Sequence, residues 1–289
     1  MLFWRLKVIM RTIHIDHIIS AVEKLCMDAN YYLNDDIYNA LIESKDSEES
    51  ENAVWVLNNL IENSKIAREN NMAICQDTGM AVVFLEIGQD VSIIGGNLTD
   101  AINEGVRRGY KNGYLRCSVV SNPLKRLNTG DNTPAVIHTE IVSGDRLKIE
   151  VAPKGFGSEN MSSIAMLKPS DGVEGVVDFV IKTVSNAGSN PCPPIIVGVG
   201  IGGTMEKAAL LSKKALLRSV GSEHVDLEIS KLENKIKTMI NKLGIGPAGI
   251  GGSTTALAVH IECFPTHIAS LPVAVNIGCH ATRHAFAEL

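Results

Sequence analysis

A chain of 289 residues, 45% hydrophobic and 20% charged, carries ample apolar material for its own core, which excludes a disordered, collagen-like or disulfide-stapled polypeptide. Asp and Glu number 32 against 27 Lys and Arg, and the resulting net charge of -5 offers no basic footprint for nucleic acid or anionic membranes. No apolar run approaches the roughly 18 residues of a membrane helix, so the expected partners are a small molecule or another protein.

The leader, residues 1–9, is apolar but broken by Arg5 and Lys7, and no small-residue cleavage site follows. It does not read as a secretory signal, and Met10 stands beside Met1 as a candidate start. Ile15, Ile18, Ile19, Val22, Leu25 and Cys26 recur at helical spacing, and Asn34-Asp35 restarts a short helix with Ile37, Tyr38 and Leu41. Asp46 followed by Glu49 predicts a capping box for a third helix carrying Val54, Leu57 and Ile61. From Met72 the pattern turns to short apolar runs, 81–87, 135–142 and 147–151, bounded by Gly, Asn, Pro and Asp, which is the grammar of strands. One helix, Leu98 to Asn112, interrupts them. Beyond these, 195–199 reads as a buried strand, 198–203 as a tight turn, and 205–218 and 225–243 as helices. A glycine-rich segment, 244–253, leads into an apolar stretch, 255–263, and a last strand, 273–277. No linker or repeat divides the chain, so the expectation is a single domain, 1–289, of α/β class. A mostly helical lead (1–70) packs on a mixed-sheet part with glycine-rich loops (71–289), and the fold is not a standard Rossmann fold.

Gly198-Val-Gly200-Ile-Gly-Gly203 is a literal G-x-G-x-x-G between a strand and a helix. The second half of a dinucleotide fingerprint is missing, because Asp226 and Glu228 open another helix instead of ending a second parallel strand. Close backbone approach is the expected use of these glycines. The segment 244–253 lacks the lysine of a phosphate-binding Walker loop, yet its amides can form a small positive nest for an anion.

Six cysteines lie far apart in a chain too large to need staples, which points to free thiols and a reducing, cytoplasmic setting. Three of them stand at predicted strand ends in unusual company. Ala73-Ile-Cys75-Gln-Asp77-Thr-Gly79 gathers a thiol, an amide, a carboxylate and a hydroxyl in one turn. Asn190-Pro-Cys192-Pro-Pro194 holds a thiol among prolines, and Asn276-Ile-Gly278-Cys279-His280 ends an apolar run in another. Their separations are unlike any C-x-x-C pair. Distant loops can still converge on one iron-sulfur cluster, and three thiolates on four irons leave one iron open as a Lewis acid.

Cys-Gln-Asp-Thr-Gly at 75–79, Lys-Gly-Phe-Gly-Ser-Glu-Asn at 154–160, Asn-Pro-Cys-Pro-Pro at 190–194 and Gly-Cys-His at 278–280 occur in an order that resembles the α subunit of two-subunit class I fumarate hydratases and L(+)-tartrate dehydratases. The resemblance runs from about Ile13 to the C-terminus. It implies a hydro-lyase subunit that adds or removes water on a small dicarboxylate, fumarate to L-malate first, with L(+)-tartrate dehydration as the alternative. It implies a [4Fe-4S] cluster on Cys75, Cys192 and Cys279, and acid-base roles for Asp77 and His267. It further implies dicarboxylate binding by Arg116, Gln76 and the main chain around Gly155 and Gly157. A β subunit would complete the site in an α2β2 heterotetramer, and the C-H base is either on this chain or on that subunit. The bland readings are an Asx-turn cap for Asp77, a loop histidine for His267 and a surface arginine for Arg116. Lys154, Glu159 and Asn160 either line the site or brace their loop. A non-catalytic homologue and a nucleotide-dependent oxidoreductase built on Gly198–Gly203 are the competing classes.

Overall fold

A computed structural model describes residues 10–289; the leader, residues 1–9, and with it the reading of the start lie outside them. In chain order the elements are β1 (Arg11–His14), α1 (Ile15–Tyr31), α2 (Asp35–Ser47), α3 (Glu51–Asn70), β2 (Met80–Gly88), β3 (Val91–Ile94), α4 (Leu98–Asn112), β4 (Val136–Val142) and β5 (Leu147–Lys154). There follow α5 (Phe156–Glu159), β6 (Ser163–Leu167), α6 (Gly172–Ala187), β7 (Ile195–Gly202), α7 (Met205–Ala215), α8 (Leu227–Asn241), β8 (Ala256–Phe264), β9 (Leu271–Gly278) and β10 (Ala285–Glu288). Helices and mixed sheets give the α/β class expected. Among the described residues no helix is long and apolar enough to cross a membrane.

Three local expectations change. The third helix is capped by Ser50, whose Oγ accepts from the Ala53 N–H, while Asp46 still belongs to the last turn of α2. The glycines 198–202 are not a turn: they continue β7, because β8 and β9 flank that strand and satisfy its backbone through Gly202 and Ile201 respectively. Helix α6 was not anticipated, although Val176, Val177, Val180, Thr183, Val184 and Ala187 carry a clear helical spacing and are buried.

The chain forms two compact units, one of the described residues up to Tyr32 with Cys75–Lys154 and Arg283–Leu289, the other of Leu33–Ile74 and Gly155–Thr282. The first unit is built on a four-stranded sheet in the order β10-β5-β2-β4, with β2 antiparallel to β5 and parallel to β4. Strand β5 alternates buried and half-buried residues, sending Leu147, Ile149 and Val151 to one face, the period-two signature of a sheet with one packed side. Helices α1 and α4 pack together, with Ile18, Val22, Ile102 and Val106 fully buried.

The second unit holds a mixed sheet in the order β6-β9-β7-β8. One face packs Ile195, Val197 and Val199 of β7 against Val177, Val180 and Val184 of α6 and Ile236 and Ile240 of α8. The alternate residues of β7 face α7, and here the motif glycines have their use. A Cβ on Gly198 would sit 2.1 Å from the Ser212 carbonyl oxygen, and one on Gly200 would sit 2.0 Å from that of Ala208. Only glycine lets this helix lie so close to the strand.

Candidate active site

In the first unit, Cys75–Gly79 is the loop that enters β2. Gly79 has φ +74, and a Cβ there would lie 2.7 Å from the Lys154 backbone nitrogen, the partner of Met80 in the sheet, so the motif glycine is a geometric requirement. Asp77 Oδ1 accepts from the Gly79 N–H at 3.0 Å, the Asx turn that its position suggested. Cys75 and Asp77 are half-buried and Gln76 is exposed. The loop is fastened from several sides. Arg283 Nη2 donates to the Asp77 carbonyl oxygen at 2.6 Å, and the Tyr110 hydroxyl lies 2.7 Å from the Thr78 and 3.0 Å from the Gly79 carbonyl oxygen. Asn132 Nδ2 also donates to the Gly79 carbonyl, at 3.0 Å.

Thr78 Oγ1 donates to the Arg116 carbonyl oxygen at 2.8 Å, which ties the arginine loop to the Asp77 loop. The Arg116 side chain is exposed and, among the described residues, makes no hydrogen bond or ion pair. Its neighbours differ: Arg107 pairs with Glu104 and Asp131, and Arg108 with Glu104. An unpaired guanidinium anchored through its main chain beside a carboxylate loop is a ready partner for a substrate carboxylate.

In the second unit, Cys192 is exposed and held at φ +56, a left-handed conformation that costs a non-glycine residue about 1 kcal/mol or more. The Cys192 carbonyl oxygen accepts from the His280 backbone N–H at 3.3 Å and stands 3.0 Å from His280 Nδ1, which brings the Cys192 and Cys279 loops together. The Gly155–Asn160 segment lies beside them: an added Cβ on Gly157 would be 3.7 Å from the Asn190 carbonyl oxygen. Gly155 caps the short helix α5, and its carbonyl accepts from the Glu159 N–H. Glu159 is a brace, with one carboxylate oxygen 2.6 Å from Lys213 Nζ and the other accepting from Asn276 Nδ2 at 3.0 Å. Asn276 opens the segment that carries Cys279, while Lys213 lies in α7 with no local signal to mark it. His267 is exposed in the loop between β8 and β9. Its Nδ1 accepts from the Ala269 N–H at 3.2 Å, which leaves Nε2 as the ring nitrogen without a bond to the loop.

At the end of the segment 244–253 the Ser253 amide does meet an anion, and the anion is the protein's own. The Glu48 carboxylate accepts from the Ser253 and Thr254 N–H groups, the Ser253 hydroxyl and the Ser50 N–H. Burial alone would raise this carboxyl, but those donors hold it below the usual range.

The donor set for an iron-sulfur cluster can be weighed against the other thiols. No disulfide forms among the described cysteines. Burial, with a smaller push from Glu23, raises the Cys26 thiol to about 12, which makes it a core residue. Burial followed by Asp131 raises Cys117, and burial followed by Glu262, Asp226 and Glu233 raises Cys263. Cys117 is nonetheless half-buried and Cys263 exposed near the end of β8; Cys75 and Cys279 are half-buried and Cys192 exposed, and these three stand in loops at strand ends. Among the described residues no three His, Cys, Asp or Glu side chains gather as ligands of a single ion. A four-iron cluster makes a different demand, one thiolate to each of three irons, and the three loop thiols fit it chemically.

The fold is of the α/β class, and thiol, carboxylate, imidazole and guanidinium side chains stand on its loops. The chain belongs to the fumarate hydratase (fumerase) family, which it matches over residues 19–288. It is 46% identical over 276 residues to a Methanocaldococcus jannaschii protein provisionally named L(+)-tartrate dehydratase subunit alpha, covering 93% of this chain and 96% of that one. It is 36% identical over 253 residues to the L(+)-tartrate dehydratase subunit alpha of Escherichia coli strain K12 and to that of Shigella sonnei strain Ss046, covering 86% of this chain and 83% of each relative.

Proposed function

We propose that this hydro-lyase chain is the α subunit of a two-subunit enzyme that interconverts fumarate and L-malate. The observation that carries the reading is the fastening of the Cys75–Gly79 loop to the backbone of Arg116, whose guanidinium is unpaired among the described residues, in a chain of the fumarate hydratase family. L(+)-tartrate dehydration is the second reading, favoured by the names of the relatives at 46% and 36% identity. A β subunit is the implied partner, an α2β2 heterotetramer the assembly and the cytoplasm the setting.

Cys75, Cys192 and Cys279 are the residues that would hold a [4Fe-4S] cluster. When bound, such a cluster supplies a Lewis acid for the departing hydroxyl at C2 of the substrate. Arg116 grips a carboxylate with its planar donor fork, and the Gln76 amide and the main chain around Gly155 and Gly157 add donors. That grip fixes which C-H bond faces the base. The Asp77 carboxylate, oriented by the Gly79 N–H, and His267, whose Nδ1 is engaged by the Ala269 N–H, take the acid-base roles. In the dehydration direction a proton leaves C3 and hydroxide leaves C2; in hydration both return.

The test is iron and acid-labile sulfide per chain after anaerobic reconstitution, followed by turnover of the α–β complex on fumarate, L-malate and L(+)-tartrate. About four irons and four sulfides with fumarate turnover bear the reading out. Turnover of tartrate alone selects the second reading, and a colourless, inactive complex sinks both.

A further inference from the structure

Three consecutive carbonyl oxygens, those of Asp77, Thr78 and Gly79, are capped by donors from three distant parts of the first unit. Arg283 is 3% exposed, Tyr110 1% and Asn132 0%. Arg283 spans 206 residues to reach the Asp77 carbonyl, and its Nε donates to Asn30 Oδ1 at 3.2 Å. Tyr110 reaches from α4, and Asn132 from the loop ahead of β4, where Asn132 Oδ1 also accepts from the Ser118 N–H at 2.8 Å. A turn needs no such support to exist, since the Asx hydrogen bond and a glycine suffice. Three buried donors on three successive carbonyls remove the freedom of the peptide planes, and with it the swing of the Asp77 side chain. Burial raises the Tyr110 hydroxyl well above its ordinary value, with further contributions from Cys26 upward and Arg283 downward, so it remains a proton donor throughout the working range.

We propose that Arg283 and Tyr110, with Asn132, form a clamp that positions the Cys75–Gly79 loop for the reaction, acting on Asp77 through its main chain without touching substrate. The inference rests on the acid-base reading of Asp77 given above. It differs from a purely structural role in what it moves. A misplacement of about 1 Å in a reacting group costs on the order of a hundredfold in rate, while ground-state binding by the Arg116 guanidinium, outside the clamped loop, is affected less.

The experiment uses the α–β complex with Tyr110→Phe, Arg283→Lys and, as control, Asp77→Asn. Tyr110→Phe deletes one oxygen atom and keeps the ring, so folding is preserved even if Arg283→Lys destabilises the chain. Expected for Tyr110→Phe are a fall in kcat per iron-loaded complex of about a hundredfold, little change in KM, an altered pH profile of kcat, and faster hydrogen exchange at the Gly79 amide. Wild-type kcat, pH profile and exchange in both clamp variants, with only Tm lowered, overturn the clamp while an inactive Asp77→Asn leaves the site reading standing. Near-normal turnover of Asp77→Asn overturns the site reading, and the clamp with it.

Discussion

Among the described residues one cysteine and one histidine are buried, inside a helix and a strand, while others stand in the loops at strand ends, and the two groups differ in chemistry. Cys26 sits inside α1 with its thiol pushed to about 12, and His260 sits inside β8 with its imidazole pulled down to about 4. Both shifts favour the neutral form, since burial penalises charge. Cys75, Cys192, Cys279 and His267 carry the same groups on loops beside β2, β7, β8 and β9, where solvent or a ligand reaches them. Sheets and helices thus retire reactive groups into the core and display others at their ends, which is where α/β folds commonly build sites.

The largest expected effect breaks that comparison or establishes it. Replacing Cys75, Cys192 and Cys279 together by Ser should abolish bound iron and sulfide in the reconstituted protein. Replacing Cys26, Cys117 and Cys263 together by Ala should leave both near wild type. Equal loss in the two triple variants would erase the distinction between the motif thiols and the other three. Next comes Asp77→Asn, expected to lower turnover of the α–β complex by about 10²- to 10⁴-fold with the cluster absorbance retained. Normal turnover would return Asp77 to its Asx turn. Arg116→Ala should act mainly on KM for the dicarboxylate, raising it by about tenfold to a hundredfold, the loss of one charge-assisted grip of roughly 1.5–3 kcal/mol. An unchanged KM and kcat would make Arg116 one more surface arginine.

How far the sequence carries such distinctions depends on whether the signal is local. Helix α4 is read to the residue because Asn97 caps it and its apolar positions keep one face. The loop motifs are equally legible, because a thiol, a carboxylate and a glycine within five residues is a local pattern. Ser50 is displaced as a cap by the apparent Asp46–Glu49 box, since nothing in the chain shows that α2 continues through Asp46 and that Glu48 is engaged by Ser253 and Thr254, some 205 residues away. The G-x-G-x-x-G run states only that something approaches closely; that the neighbour is α7 emerges from the sheet. Arg283, Tyr110 and Asn132 are invisible in sequence for the same reason: each is an ordinary residue until the fold aims it at one loop.

The smallest expected effect on turnover is none, and it tests the interior side of the comparison. His260 is 2% exposed, with Nδ1 3.1 Å from the Ala215 carbonyl oxygen. Burial lowers its pKa most, Arg218 and Lys237 lower it further, and the Ala215 hydrogen bond and Asp36 oppose them. Because the folded value lies below that of the unfolded chain, near 6.5, the unfolded state binds a proton that the native state refuses between those two values. Stability is therefore fully present above about pH 6.5 and declines as the pH falls toward 4, by about 3 kcal/mol from this group over the whole window. His260→Gln cannot take up that proton. The difference in unfolding free energy between wild type and His260→Gln should narrow or reverse in favour of the variant as the pH drops from 7 to 4, while the α–β complex keeps its kcat at pH 7. A pH-independent difference would show that His260 titrates normally in the folded chain, and that burial in β8 does not retire an imidazole as it does a thiol in α1.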